Sequence, residues 1–155
     1  MVDKSSDTNK TSRIEQMIVD DDGKFFACSD NQCCISLFKH SKLYDDEDQK
    51  VEEWWFIGKI RTHVRGITSI SFGYSYDENN QKKHRLFSIG KDRRLFEYET
   101  HFGDEYGVLK VMKCIDIELE ATPTSCIWYP TIDIKEGLIL TANDEYKMKL
   151  WNPTT

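Results

Sequence analysis

The chain has 155 residues, the length of one domain with a core of ordinary size. Hydrophobic residues make up 39% and charged residues 31%, while four Trp, seven Tyr and eight Phe are more aromatics than a disordered chain carries. A formal net charge of −6 argues against a general nucleic-acid binder, which needs a basic excess, and no apolar run is long enough to cross a bilayer.

In chain order, residues 1–12 are polar and turn-rich and read as a flexible lead-in, with no sign of a signal peptide. From residue 13 onward the apolar residues come in short alternating pulses. Ile14 to Val19 precedes a tight Asp20-Asp21-Asp22-Gly23 turn, and Phe25 to Cys28 and Cys33 to Phe38 follow around Ser29-Asp30-Asn31. After an acidic insert around Asp45–Asp48, Trp54 to Ile60 supplies a fourth strand. A second unit runs through Gly66 to Gly73, Arg85 to Ile89, Arg94 to Tyr98 and Val108 to Leu119. A third has Thr124 to Tyr129, Gly137 to Ala142 and Lys147 to Trp151, without a fourth strand. Helical spacing is nearly absent, and the third strands close alike on Phe38, Tyr98 and Trp151.

Four short strands per unit, repeated, predict an all-β partial β-propeller of about three four-stranded blades, the last incomplete. The blades fall at about 14–60, 61–119 and 121–155 within a folded region 13–155. An open arc leaves unpaired sheet edges, so another chain or a neighbouring piece of the same protein is expected to complete the ring.

The second unit carries the sharpest constellation. His63 precedes its first strand, Ser88 lies in the second, Asp92 in the next turn and Tyr98 near the end of the third. These positions resemble the His–Ser/Thr–Asp–Trp set of WD-repeat proteins, which implies a hydrogen-bonded structural tetrad with a phenol as its last member. A hydrolase triad is not expected, since no nucleophile elbow or oxyanion glycine motif accompanies it. In the first unit Cys28, Gln32 and Phe38 fall at the Ser, Asp and Trp positions; in the third, Thr141, Glu145 and Trp151 do, with no His upstream. Those two units are expected to lean on apolar packing.

Cys28, Cys33, Cys34, Cys114 and Cys126 form an odd count without a CxxC pair or matching His spacing, so no metal site and a reducing, intracellular setting are expected. Asp20-Asp21-Asp22-Gly23 fails as a calcium loop, because Ile18 would occupy the first ligand position. Lys82-Lys83-His84-Arg85 reads as one limb of a hairpin and not as a nuclear signal. No phosphate-cradling loop or paired acid/base motif appears, so neither catalysis nor a cofactor is expected. The strand order gathers Arg61, Arg65, Lys91, Arg93 and Arg94 on one face of the second blade, a candidate site for an acidic protein partner. Asp45–Asp48, Asp77, Glu78, Asp104 and Glu105 fall on the other face.

The stretches Ile57 to His63, Arg85 to Arg93, Ala121 to Pro130 and Tyr146 to Asn152 together resemble the cilia- and flagella-associated WD-repeat protein family of the calmodulin- and spoke-associated complex. That resemblance covers roughly residues 14–155. It implies a non-catalytic scaffold of the ciliary axoneme and cytoskeleton, at the base of a radial spoke and needed for motility. Its partners would be other axonemal and spoke-associated proteins, with calmodulin involved indirectly, and neither nucleic acid nor membrane. The other candidate is a WD-repeat adaptor or substrate-recognition subunit of a soluble cytoplasmic complex such as a ubiquitin ligase. The Arg that marks such repeats is missing after Glu99, where Thr100 and His101 stand, and after Asn152, where Pro153 and Thr154 stand.

Overall fold

The computed structural model describes residues 11–44, 50–100, 107–129 and 137–153, which form strands and turns. The strands are β1 (Ile14–Val19), β2 (Phe25–Asp30), β3 (Cys34–Tyr44), β4 (Lys50–Arg61), β5 (Ile67–Tyr76) and β6 (Lys82–Gly90). They continue as β7 (Arg94–Tyr98), β8 (Gly107–Val108), β9 (Val111–Asp116), β10 (Pro123–Tyr129), β11 (Leu138–Asn143) and β12 (Met148–Trp151). Residues 1–10 of the expected lead-in, the acidic stretch Asp45–Asp48, and Asp104 and Glu105 lie outside the described residues. Among the described residues no helix is long and apolar enough to cross a membrane.

Three sheets form, in the orders β1-β2-β3-β4-β8, β5-β6-β7-β9 and β10-β11-β12. Period-two alternation decides how they stack, because one side of each strand must be buried. Phe25, Ala27, Ile35, Leu37 and Ile57 of the first sheet meet Ile67, Ile70, Leu86, Phe96 and Tyr98 of the second. The opposite side of the second sheet presents Phe87, Ile89 and Leu95, with Ile117 just past β9, to Cys126, Trp128 and Ile139 of the third. Consecutive sheets stacked face to face in this way are successive propeller blades.

Trp128 anchors the second interface. Its indole stacks on Phe87 at 5.6 Å and 14°. A Cβ on Gly73 would sit 2.4 Å from the ring, and one on Gly137 would sit 2.3 Å from it. Only glycine lets the backbone pass so close on both sides.

The structure departs from the sequence reading in two places. The hairpin of β3 and β4 extends to Tyr44 and Lys50, well beyond Phe38 and Trp54. The outer strand expected over Val108 to Leu119 is divided: β9 completes the second sheet, whereas Gly107–Val108 pairs in parallel with Gly58 and Lys59 of β4. Leu109 explains the division, since its side chain is fully buried in the core between the first two sheets and draws the segment onto β4.

All three β-hairpins between second and third strands share one turn geometry. Cys33, Arg93 and Tyr146 each have positive φ, at 63°, 67° and 61°. Their amides donate to the carbonyls of Asp30, Gly90 and Asn143 respectively, at 3.2, 3.0 and 3.3 Å. The repeat seen in sequence is therefore a repeat in backbone conformation.

Candidate functional site

The second sheet's turn end carries the four residues of the sequence-derived set. His63 sits in the connection from β4 to β5, Ser88 faces the first sheet from β6, Asp92 occupies the β6–β7 turn, and Tyr98 ends β7. Their side chains form one hydrogen-bonded line. His63 Nδ1 lies 2.8 Å from Asp92 Oδ1, and His63 Nε2 lies 2.7 Å from Ser88 Oγ. Ser88 Oγ lies 2.7 Å from Tyr98 Oη, which in turn meets Thr62 Oγ1 at 2.5 Å. Asp92 Oδ2 also accepts the Val64 amide at 3.2 Å.

One proton order satisfies every member. Thr62 donates to Tyr98, Tyr98 to Ser88, Ser88 to His63 Nε2, and His63 Nδ1–H to the Asp92 carboxylate. The line runs one way and ends on a charge, so each bond polarises the next. The ring is neutral in this order, and burial of His63 pushes its pKa down, in keeping with that. Burial likewise pushes the Tyr98 phenol up to about 12, which keeps its proton in place. The His63 ring meets the edge of Phe96 at 4.8 Å and 81°. Gly90 is required beneath it, because a Cβ there would fall 2.4 Å from His63 Nδ1.

A Ser–His–Asp line could act as a nucleophile only if a substrate reached the hydroxyl. Ser88 is 0% exposed and both sides of its Oγ are occupied. Burial pushes the Cys28, Cys34 and Cys114 thiols up, and Cys126 up to about 11, which favours their protonated, less nucleophilic form.

The flanking hairpins solve the same problem with residues that the spacing did not single out. Asp30 Oδ1 accepts the Gln32 and Cys34 amides at 2.9 and 3.0 Å, and its Oδ2 meets Ser12 Oγ at 3.2 Å and Lys59 Nζ at 3.2 Å. Asn143 Oδ1 accepts the Glu145 and Lys147 amides at 3.1 and 3.0 Å, while its Nδ2 donates to Glu118 at 2.9 Å. Both stand where the second hairpin has Gly90. The signal was an Asp or Asn opening a four-residue turn, a local cap in its own right. Trp151 Nε1 donates to Thr141 Oγ1 at 2.9 Å, so the third sheet keeps the last link without a His.

Over the buried line lies the basic edge. The Lys91 amide donates to the Gly66 carbonyl at 2.9 Å, which brings the β4–β5 connection against the β6–β7 turn. Arg61, Arg65, Lys91 and Arg94 are exposed there and Arg93 is half-buried. Two of the five have structural partners: Arg93 Nη1 donates to the Leu119 carbonyl at 2.9 Å, and Arg94 Nε to Asp116 at 3.1 Å. Arg61, Arg65 and Lys91 make no ion pair among the described residues. On the opposite end, Asp77 Oδ1 caps its own turn by accepting the Asn79 and Gln81 amides at 2.9 and 2.8 Å.

Three stacked antiparallel sheets, with a His–Ser–Asp line at the second hairpin, define a partial WD-repeat β-propeller. Solved propellers agree on the fold. The β-propeller domain of Cps50 (Swd1) from Myceliophteria thermophila superposes with a TM-score of 0.59 at 10% identity, covering 90% of this chain and 40% of that one. The Dos1 propeller gives 0.56 at 7% identity, covering 92% and 34%.

In sequence, the chain is a homologue of cilia- and flagella-associated protein 251. It is 38% identical over 151 residues to the protein of that name from Tetrahymena thermophila, and 32% identical over 146 residues to the one from Mus musculus. These alignments cover 90% and 93% of this chain but only 15% and 10% of those proteins, so the chain spans a small part of their length. No family model matches the chain.

Proposed function

We propose that this chain is a non-catalytic interaction scaffold of the cilium or flagellum, working in the axoneme at the base of a radial spoke and supporting motility. The observation that carries the reading is the alignment with cilia- and flagella-associated protein 251 across nearly all of the blades described above. The buried Ser88 supports it, because the one constellation that resembles a catalytic triad is consumed as structure. Arg61, Arg65 and Lys91 form the docking edge for an acidic partner among the axonemal and spoke-associated proteins, since they make no ion pair among the described residues.

The first sheet also has a side that needs a neighbour. Val19, Phe26, Phe38 and Phe56 stand in register across four strands. Phe26 contacts Phe38 at 5.5 Å and Phe38 contacts Phe56 at 5.6 Å, yet Phe56 is 48% exposed. The corresponding sides of the second and third sheets are covered by the sheet before them. A further blade, from another chain or another piece of the same protein, covers this side in the assembly.

The docking edge is tested by co-sedimentation of the full chain with demembranated axonemes across a salt series. Binding is expected to weaken with salt and to be lost in the Arg61→Glu, Arg65→Glu, Lys91→Glu variant. Unchanged binding and salt dependence in that variant would remove the edge from the account.

A further inference from the structure

The third sheet leaves open the side that the first two sheets bury against a successor. Ile127, Leu140 and Leu150 stand in register across its three strands, and Ala142 and Met148 pair beside them. Ile127 is 60% exposed, Met148 72% and Leu150 54%. Aligned on the shared hairpin turn, Met148 and Leu150 occupy the places of Ile35 and Leu37, which are fully buried against the second sheet.

Polar side chains repeat across the same interfaces. Gln16 of β1 donates to the Thr68 carbonyl at 2.9 Å and accepts the Ile70 amide at 3.2 Å, both on the backbone of β5. Ser69 of β5 treats β10 alike, accepting the Cys126 amide at 3.2 Å and donating to the Cys126 carbonyl at 3.4 Å. Each clasp runs from the first strand of one sheet to the backbone of the first strand of the next. Gln16, Ser69 and Ser125 hold one register position, opposite Ser29, Ile89 and Ala142. Ser125 is exposed, with no further sheet beside it among the described residues.

The receiving half of such a clasp is open on the first sheet. Ile70 and Cys126, whose amides are taken up, face Ser88 and Thr141 in register; Met17 faces Cys28 at the same position of β1 and is 64% exposed. Beside Met17 runs the open row of Val19, Phe26, Phe38 and Phe56. The two open sides are thus the two halves of an interface that the chain already makes twice. One brings aliphatic side chains and a clasp, the other larger apolar side chains and a strand to be clasped. A second copy carries both halves, so one occupant covers both sides at once. Two copies joined head to tail hold six blades, within the four to eight at which propellers close.

We propose that the chain pairs with a second copy of itself, the third sheet of each packing on the first sheet of the other, to close a six-bladed ring. The proposal rests on the reading that a further blade covers the first sheet, and it names that blade as the third sheet of the second copy.

The test is the mass of the full chain by light scattering on a sizing column, over a dilution series. About twice 18.2 kDa is expected, falling only on dilution. Phe56→Glu on the first sheet and Leu150→Glu on the third should each give a monomer that is folded by circular dichroism. Met148→Lys, on the same side as Leu150, is the substitute for a Leu150→Glu chain that does not fold. An equimolar mixture of the first-sheet and third-sheet variants should regain a dimer, because one of its two interfaces joins intact sides. Ser125→Ala should weaken the wild-type dimer about fivefold per interface.

A wild-type chain that stays monomeric gives both sides to blades of another polypeptide and overturns the proposal. So does a series of larger species, which is a contact that does not close. A dimer that only one of the two variants loses, or a mixture that stays monomeric, is a contact between like sides and overturns it too. A monomer that still co-sediments with axonemes overturns this pairing alone; a dimer that fails to co-sediment removes the docking edge and leaves the pairing.

Discussion

The second hairpin and the two that flank it reach one backbone geometry by different chemistry. The flanking turns are closed locally: Asp30 and Asn143 each cap the amides two and four residues ahead. The second turn opens with Gly90, which has no side chain to cap anything. Its Asp92 instead reaches across to His63 and Val64, and through the ring to Ser88, Tyr98 and Thr62. A local cap fixes one turn. The cross-linked line fixes the turn, the β4–β5 connection and two strands together, and the basic docking edge stands on those same elements. The second blade therefore carries both the structural line and the docking edge, on different side chains.

The largest effect should come from Asp92→Ala. It strands the buried His63 Nδ1–H and the Val64 amide and is expected to cost about 3 kcal/mol in chemical denaturation, whereas Glu145→Ala at the equivalent exposed position should stay within about 0.5 kcal/mol. Equal losses at the two positions would erase the contrast. Gly90→Ala should cost about 2 kcal/mol, because the added Cβ falls 2.4 Å from His63 Nδ1 and 3.0 Å from Asp92. Asn143→Gly removes the local cap together with the hydrogen bond to Glu118 and should cost about 1.5 kcal/mol.

Acid sharpens the comparison further. The folded pKa of His63 lies below its unfolded value, so the unfolded chain binds the extra proton first. The contribution of His63 is therefore fully present above about pH 6.5 and is lost as the pH falls from there toward the folded value. The difference in stability between wild type and His63→Gln should shrink on acidification through that window, read by urea melts at several pH values. A Thr141→Val variant, at the His-free link of the third sheet, should show a pH-independent difference. The smallest effect is a gain: Tyr146 is 99% exposed and holds φ at 61°, so Tyr146→Gly should stabilise by up to about 1 kcal/mol.

Much of this was legible in the chain because the decisive spacings are short. Alternation and turn residues place the strands, and the offsets from His63 to Ser88, Asp92 and Tyr98 place the polar line. What escaped the reading depends on contacts that no local pattern encodes. Asp30 and Asn143 do not stand out in the sequence, because a cap two residues before the expected Asp looks like ordinary turn composition. The flanking blades pack through apolar side chains, and their turns are capped in addition by polar ones. Gly107–Val108 joins β4 because Leu109 finds a core 50 residues back in the chain, and Gln16 clasps β5 across a similar separation. Trp128 lies flat between Gly73 and Gly137, a fit that periodicity does not reveal.

Separation of structural line from docking edge is the central claim, and one experiment addresses it directly: salt-dependent co-sedimentation with axonemes, at a temperature where every variant is folded, for wild type, Ser88→Ala and the Arg61→Glu, Arg65→Glu, Lys91→Glu variant. Ser88→Ala should melt earlier yet sediment like wild type, while the charge-reversed chain should melt like wild type and stay in the supernatant. A folded Ser88→Ala chain that no longer binds, or a charge-reversed chain that still does, would contradict the account.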